Sequence, residues 1–365
     1  MTHAPTRMPA AAQMAPVFVD ATHLGRTVTG IERITLELFS ETALAPLPVR
    51  FIRPPLPGLA GLVAGQYVSL PATLARHGRA IALCPGFPPS LILSRFAERV
   101  IPYIHDLFLI TRRADLSARA RLYMAPAFAR ALRALPRFFV NSRTTARELA
   151  RFARPDARIH LYRPRVRNVF DLSDEGRDVR PAPGKALQLV ALGTIEPRKN
   201  LLAAANIVFA LRQRGYPEAT LHIIGRSGWG GVEKKLQGRS GVILHGYQPK
   251  EVIARMLHEA DAFITTSHDE GLGLPLLEAQ YAGLPVIAPF APVFREVLGD
   301  SGIFIDAADP SLAAQKIITI LTQDGAQAAF AAAARANIGR WNHAADADHA
   351  AIVALLMQLA SGREA

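Results

Sequence analysis

Short apolar runs alternate with amphipathic stretches along most of this 365-residue chain. VFVDATHLG, residues 17–25, reads as a buried strand closed by a Gly turn, and GIERITLELFSETA, residues 30–43, as a helix with Ile31, Ile34 and Leu38 near one face. Strand, Gly turn and helix are the opening unit of a parallel α/β sheet. Further apolar runs follow at 80–86, 99–106 and 137–142. The segment DLSDEGRDVRPAPGK, residues 171–185, combines acids, Gly and two Pro without periodicity and has the composition of a linker. A second series begins after it, with strands at 187–193, 219–225, 241–246, 262–267, 284–289 and 302–306 and helices at 200–214, 249–259 and 275–282. Strands alternating with helices specify parallel sheets, so the fold class is α/β, two Rossmann-like domains in tandem with a cleft between them. The expected divisions are a disordered tail over 1–16, an N-terminal domain over 17–178, a linker over 179–186 and a C-terminal domain over 187–340. Residues 341–365 are expected to form a helix packing back on the N-terminal domain. No short repeat is present, which excludes a solenoid.

Composition narrows the class. Half the residues are hydrophobic and 20% are charged, which is globular rather than disordered. The single cysteine, Cys84, excludes a disulfide scaffold and a four-thiolate zinc site, and fits a reducing cytoplasm. The first sixteen residues do not have the pattern of a secretory signal, and no apolar run reaches membrane-spanning length. The net charge of +12 is concentrated. Arg112 to Arg167 contains 15 Arg and three acids (Asp115, Glu148, Asp156), so this stretch alone accounts for the excess.

The segment HDEGLGLPLLEAQYAGLPVIAP, residues 268–289, carries the most chemistry. A strand is expected to end at Ser267, a loop to carry Asp269, Glu270, Gly271 and Gly273, and Pro275 to take the first helical position, with Gly283 past the helix end. Loop glycines leave backbone N–H groups accessible, and a helix N-terminus adds partial positive charge, so a diphosphate is a suitable guest. Glu270 precedes the helix and Glu278 lies roughly a turn inside it. One carboxylate is placed for a group beside the phosphate and the other for a diol such as a ribose. A Gly-rich loop alone is a weak signal. Two glutamates flanking GLGLP in this order are a stronger one.

This segment resembles the signature of retaining nucleotide-sugar glycosyltransferases of family four, whose GT-B fold has two facing Rossmann-like domains. TGIERITLEL (29–38), YIHDL (103–107), VNSRTTAREL (140–149), ALGTIEPRKNL (191–201), LHIIGRSGWG (221–230) and VFREVLGDSGIFID (293–306) are similar to other segments of that family. The resemblance implies a C-terminal nucleotide-sugar-binding domain and an acceptor-side N-terminal domain. In that scheme Glu278 holds the donor ribose, Glu270 sits beside the transferred sugar, and the amides of Leu272, Gly273 and Leu274, next to Gly271, line sugar and phosphate. Lys199 neutralises the leaving diphosphate. His105 contacts the donor sugar, and Gly30 lets the first loop approach the phosphates. Where the family commonly has Arg five residues before that Lys, this chain has Thr194, and either Arg198 or Arg226 is left to supply the guanidinium. The implied reaction breaks the bond from anomeric carbon to phosphate with retention, the leaving phosphate acting as base, and needs no essential metal or other cofactor. GDP-mannose is the donor implied by similarity to polysaccharide enzymes with PVFREV segments.

Each residue also has an ordinary structural reading. Glu270 and Glu278 could be a loop acid and a helix acid, Lys199 and Arg198 the start of a surface helix, His105 a satisfied core histidine, and Gly30 a turn residue. Trp229 and Trp341 read as packing residues rather than sugar platforms, and Asp346-Ala347-Asp348 as surface acids rather than a metal site. In the Arg-rich stretch, Arg143, Arg147, Arg151 and Arg154 align on a helix expected to be capped by Asn141, and Arg130, Arg133 and Arg137 cluster on another over 126–137. Such faces suit an anionic membrane surface, at about 1 kcal/mol per cation near it. The expectation is a cytoplasmic hexosyltransferase peripherally bound to the inner face of the plasma membrane, acting on a lipid-linked or saccharide acceptor in cell-surface polysaccharide synthesis. Transfer to a small soluble acceptor, non-catalytic sugar-nucleotide binding and nucleic-acid binding are the rivals. Nucleic acid is disfavoured as a partner because the Arg stretch lacks interleaved aromatic residues.

Overall fold

The computed structural model describes residues 14–25, 30–56, 58–112, 116, 120–175 and 186–362. Contacts divide the chain into two units, Met1–Pro164 with Ala344–Ala365, and Arg165–His343. Each unit is built on a six-stranded sheet whose described pairings are all parallel.

The first sheet contains β1 (Val17–Asp20), β2 (Val49–Ile52), β3 (Ile81–Cys84), β4 (Val100–Ile104), β5 (Arg137–Val140) and β6 (Arg158–Leu161), in the order β2-β1-β3-β4-β5-β6. Strands β1, β3 and β4 are buried along their whole length, the state of central strands in a parallel sheet covered on both faces, and they read in sequence as continuous apolar runs. The outer strands β2 and β6 alternate Arg or His with apolar residues and carry no such run. Around the sheet, Phe18, Leu74, Phe128, Leu132, Phe138 and Leu149 form the core. The helix expected over 30–43 ends at Phe39, and its outward turn leaves Ile31 37% exposed while Ile34 and Leu38 are buried.

The unit is completed from the far end of the chain. Helix Ala326–Ser361 contributes its residues from Ala344 onward, with Ile352, Leu356 and Ala360 buried. The Tyr162 hydroxyl donates to the Leu38 carbonyl at 2.5 Å and lies 3.2 Å from Nδ1 of His349. Nε of Arg163 pairs with Asp348 at 3.0 Å, so that acid is a packing residue. Trp341 is buried, whereas Trp229, expected to pack, is half exposed.

Two expected divisions change. Residues 14–16 are not tail: Met14 and Ala15 are buried, and the Ala15 amide donates to the Ala360 carbonyl at 2.9 Å. Residues 1–13 lie outside the described residues. The boundary falls after Pro164 rather than at 178, because the following segment bonds within the second unit. The Val166 amide donates to Asn342 Oδ1 at 2.8 Å, Lys250 pairs with Asp171 at 2.6 Å, and Arg335 pairs with Asp174. Of the linker expected over 179–186, residues 179–185 lie outside the described residues.

The second sheet contains β7 (Gln188–Leu192), β8 (Thr220–Ile224), β9 (Val242–Gly246), β10 (Ala262–Ile264), β11 (Val286–Pro289) and β12 (Gly302–Ile305). Their order, β12-β11-β10-β7-β8-β9, is the doubly wound order of dinucleotide-binding sheets. Helix Leu201–Gln213 buries eight of its residues, among them Ile207, Val208 and Leu211, in a core shared with Leu189, Leu221, Ile264, Ile287 and Ile317. After β7 the chain turns to one side of the sheet, and before β10 it returns to the other. The crevice at this reversal, outside the carboxyl ends of β7 and β10, is where open α/β sheets bind ligands.

Candidate active site

Two loops meet at that reversal. The first, Gly193–Asn200, follows β7 and is pinned by the turn after β8: the Ile195 amide donates to Arg226 O at 2.9 Å, and the Gly228 amide to Ile195 O at 3.1 Å. Pro197–Lys199 form a single 3₁₀ turn, and Asn200 takes a left-handed conformation (φ 48°) before the next helix. The second loop begins earlier than expected. Strand β10 stops at Ile264, so residues 265–273 are all available to it. Thr266 Oγ1 donates to Asn200 O at 2.8 Å, and the His268 amide to Arg198 O at 3.0 Å, which ties the loops together.

The side chains converge on one carboxylate. Oε1 of Glu270 accepts from Lys199 Nζ at 2.5 Å and from Ser267 Oγ at 2.8 Å. Oε2 accepts from Arg198 Nη1 at 2.9 Å. Arg198 also donates to Asp269 O at 3.0 Å, and through Nη2 to Glu196 Oε1 at 2.7 Å. Two cations and two carboxylates therefore balance in a partly dehydrated cluster, with the Glu270 side chain 10% exposed and Lys199 18%. Burial alone pushes the Glu270 carboxyl up, but Lys199 and Arg198 outweigh it and hold the group below the ordinary 4.5. Burial lowers the Arg198 guanidinium, and Glu270 with Glu196 more than restores it. Glu270 is thus a firmly ionised anchor that fixes two cations at the sheet reversal.

The geometry separates the other candidates. Of the two arginines left open by Thr194, Arg198 joins this cluster, while Arg226 lies with its guanidinium 4.6 Å from the Tyr247 ring centroid. Thr194 is exposed at the rim of the same loop. Leu272 and Leu274 are buried, and Gly273 is left-handed (φ 78°), where an added Cβ would lie 2.4 Å from Leu276 Cδ1. Gly271, between them and Glu270, is in the same loop. Leu274, not Pro275, is the first helical residue, and the helix is only six residues long, so the expected dipole contribution is small. Glu278 is buried on it, 5% exposed.

His105 and Gly30 belong to the first unit. His105 follows β4, donates from Nε2 to Pro85 O at 2.7 Å, and its carbonyl accepts from Asn141 Nδ2 at 2.8 Å. Burial pushes its pKa down to about 4; the bond to Pro85 opposes this and the His23 charge adds to it. The imidazole is neutral at pH 7. Gly30 opens helix Gly30–Phe39, and an added Cβ there would meet nothing within 4 Å, so packing does not require glycine. Asn141 serves His105 and is not the helix cap; Ser142 is, its Oγ accepting from the Thr145 amide at 3.0 Å. Helix Arg143–Ala150 ends before the expected stripe does. Arg143, Arg147 and Arg151 are exposed, but Arg154 lies beyond the helix and pairs with Asp156 at 2.5 Å. Arg137 likewise leaves its expected helix, which ends at Ala134, and begins β5.

Sequence reading did not assign Glu196 or Ser267 to the site. Glu196 lies two residues before Arg198 in EPRK, and Ser267 three before Glu270; each bonds its near neighbour, and the Arg198 and Lys199 bonds to Glu270 join the two loops into one cluster.

The family described as Glycosyl transferases group 1 matches residues 173–337. O-antigen chain mannosyltransferase B of Escherichia coli is 34% identical over 143 residues, which is 36% of each chain. D-inositol 3-phosphate glycosyltransferase of Thermobispora bispora is 28% identical over 229 residues, 58% of this chain and 54% of that one. Each match thus spans little more than half, or less, of the relative's length. Sucrose-phosphate synthase of Thermosynechococcus elongatus shares the fold at TM-score 0.71 and 16% identity, over 94% of this chain and 99% of that one. Residues 173–337, which contain the Lys199, Arg198 and Glu270 cluster, therefore match the group 1 glycosyl transferase family, in a chain that has the GT-B fold of two parallel six-stranded sheets.

Proposed function

We propose that the chain is a retaining hexosyltransferase that moves mannose from a nucleotide diphosphate donor to a lipid-linked or saccharide acceptor in cell-surface glycan synthesis. The observation that carries this reading is the Lys199, Arg198 and Glu270 cluster at the reversal of the second sheet, within the group 1 domain. Mannose is the sugar named for the Escherichia coli relative, and GDP-mannose is the donor to test first.

Transfer breaks the bond from the anomeric carbon to the diphosphate oxygen, and negative charge builds on that oxygen. Lys199 and Arg198 are fixed cations able to stabilise it without reorganisation. Glu278, buried on the following helix, is assigned to the donor ribose, and the amides of residues 272–274 to the phosphates and sugar. A carboxylate held below its ordinary pKa and engaged by three donors is a poor proton acceptor, so Glu270 positions the cations and does not act as base. The acceptor hydroxyl proton then passes to the leaving phosphate oxygen as the new bond forms on the same face of the sugar. Two side-chain cations do the work often given to a divalent metal, so the reaction is proposed to be metal-independent. Neutral His105 is assigned as a hydrogen-bonding contact to the donor sugar.

The test is a thermal-shift panel of nucleotide sugars followed by product analysis. A bound donor raises Tm in proportion to the logarithm of its concentration above Kd. GDP-mannose is expected to shift Tm in the wild type, and Lys199→Ala to lose the shift. Turnover with inverted anomeric configuration, or no shift with any nucleotide sugar, would sink the proposal.

A further inference from the structure

Glu196 is a buried carboxylate in the Lys199 loop, 5% exposed, to which the transfer chemistry above gives no role. The backbone sets its place before any side chain does. Glu196 is extended (φ −140°, ψ 159°) immediately ahead of the turn Pro197–Lys199, and its carbonyl accepts the Lys199 amide at 3.1 Å. Pro197 opens that turn with its φ fixed by the ring. It is wedged against Gly230, where an added Cβ would lie 2.4 Å from Pro197 Cγ. The chain doubles back through the turn, so the carboxylate meets the side chain two residues on. Its Oε1 accepts from Arg198 Nε at 3.1 Å and from Nη2 at 2.7 Å.

The other end of the same guanidinium is held by the second loop: Nη1 donates to Glu270 Oε2 at 2.9 Å and to Asp269 O at 3.0 Å. A long Arg side chain has many rotamers, and a cation stabilises a developing charge best when its orientation is set beforehand. Glu270 is shared, because it also binds Lys199 and Ser267. A second carboxylate on the Nε edge fixes the plane of the guanidinium. This pair is partly dehydrated, with the Arg198 and Glu196 side chains 20% and 7% exposed, so salt screens it weakly. We propose that Glu196 is a positioning residue for glycosyl transfer, acting through Arg198: it clamps the guanidinium between the two loops and so presents a preset charge to the leaving diphosphate. The assignment rests on the transfer reading above. Its kinetic signature follows from charge. Without Glu196 the cluster gains one net positive charge, so the diphosphate is held no less tightly, while a cation that must be oriented at the moment of reaction slows turnover.

The test is a double-mutant cycle of Glu196→Gln and Arg198→Ala in the full-length protein, read by arginine side-chain NMR, thermal unfolding and steady-state kinetics with whichever nucleotide sugar the wild type turns over. In the ligand-free wild type, the Arg198 Nη signals, identified by their loss in Arg198→Ala, are expected to be resolved by restricted rotation about the Nε–Cζ bond. In Glu196→Gln they should broaden or merge. The kcat is expected to fall by about 10-fold or more in Glu196→Gln with the donor KM unchanged or lowered, and by less than about 2-fold when the same change is made in Arg198→Ala. The effect on Tm should change sign across the cycle: Glu196→Gln lowers it in the wild type and raises it in Arg198→Ala, where the buried carboxylate has lost its guanidinium. Equal kcat losses in both backgrounds, a raised KM at unchanged kcat, or Arg198 signals unmoved in Glu196→Gln would overturn the proposal. Failure of the transfer reading is recognised separately, by a wild type that turns over no nucleotide sugar; the clamp itself stands or falls on the NMR and Tm arms, which need no substrate.

Discussion

Glu270 matters through what it holds in place. Its carboxylate fixes Lys199, Arg198 and Ser267 at distances of 2.5 to 2.9 Å, and it is nearly buried. Glu270→Gln keeps the shape but removes the charge, leaving two close cations with Glu196 as the remaining counter-ion. Expected outcomes are a loss of roughly 2 kcal/mol in stability by denaturant titration and a fall in kcat of about 100-fold or more. The pH dependence has a definite sign. A carboxyl held below its ordinary 4.5 contributes stability that is complete above that value and is lost as the pH falls through the depressed one, so wild-type Tm should drop faster than that of Glu270→Gln below about pH 4.5. His105 works in a different window. With its pKa lowered from 6.5 to about 4, its contribution is complete above 6.5 and declines toward 4. Imidazole NMR should show no His105 titration between pH 6 and 8; a midpoint in that range would contradict the neutral assignment.

At the level of the element, the site depends on backbone positions that admit no side chain. A Cβ at Gly225, at the end of β8, would lie 1.9 Å from the carbonyl oxygen of Gly193, which opens the Lys199 loop. Gly225→Ala is therefore expected to displace that loop and destabilise the chain by about 2 kcal/mol or more, measured by calorimetry. The basic helix makes a separate prediction. Arg143, Arg147 and Arg151 stand at intervals of four on Arg143–Ala150 and its cap, and all are exposed. If this face meets anionic lipid, replacing Arg147 and Arg151 with Gln should weaken binding to phosphatidylglycerol vesicles by roughly 10-fold at low salt, and unchanged binding would remove the membrane from the proposal. Central strands such as β1 and β3 were legible because burial on both faces demands unbroken apolar runs. The edge strands β2 and β6 were not, since a half-exposed VRFI or RIHL looks like a loop. Arg154 was misplaced because a stripe continues on paper past the point where Leu132 O captures its amide and Asp156 its guanidinium.

For the molecule as a whole, the C-terminal segment is part of the first unit's core. Truncation after His343 removes buried Ile352, Leu356 and Ala360 and the partners of Tyr162, Arg163 and Ala15, so the truncated chain should show a much lowered first thermal transition. Transfer in excess EDTA should match transfer without it if Lys199 and Arg198 neutralise the leaving group unaided. The sequence by itself determined the α/β class, the two-part organisation and the glutamates around GLGLP, because period, length and local loop chemistry are properties of neighbouring residues. Tertiary structure alone decided that Arg198, not Arg226, joins Lys199 at Glu270, that Glu196 and Ser267 complete the cluster, and that the first unit ends at Pro164 and resumes at Ala344. The Arg198 and Lys199 bonds to Glu270 and the return of the chain at Ala344 join residues tens to hundreds of positions apart, and their distances are set by the winding order of the sheets.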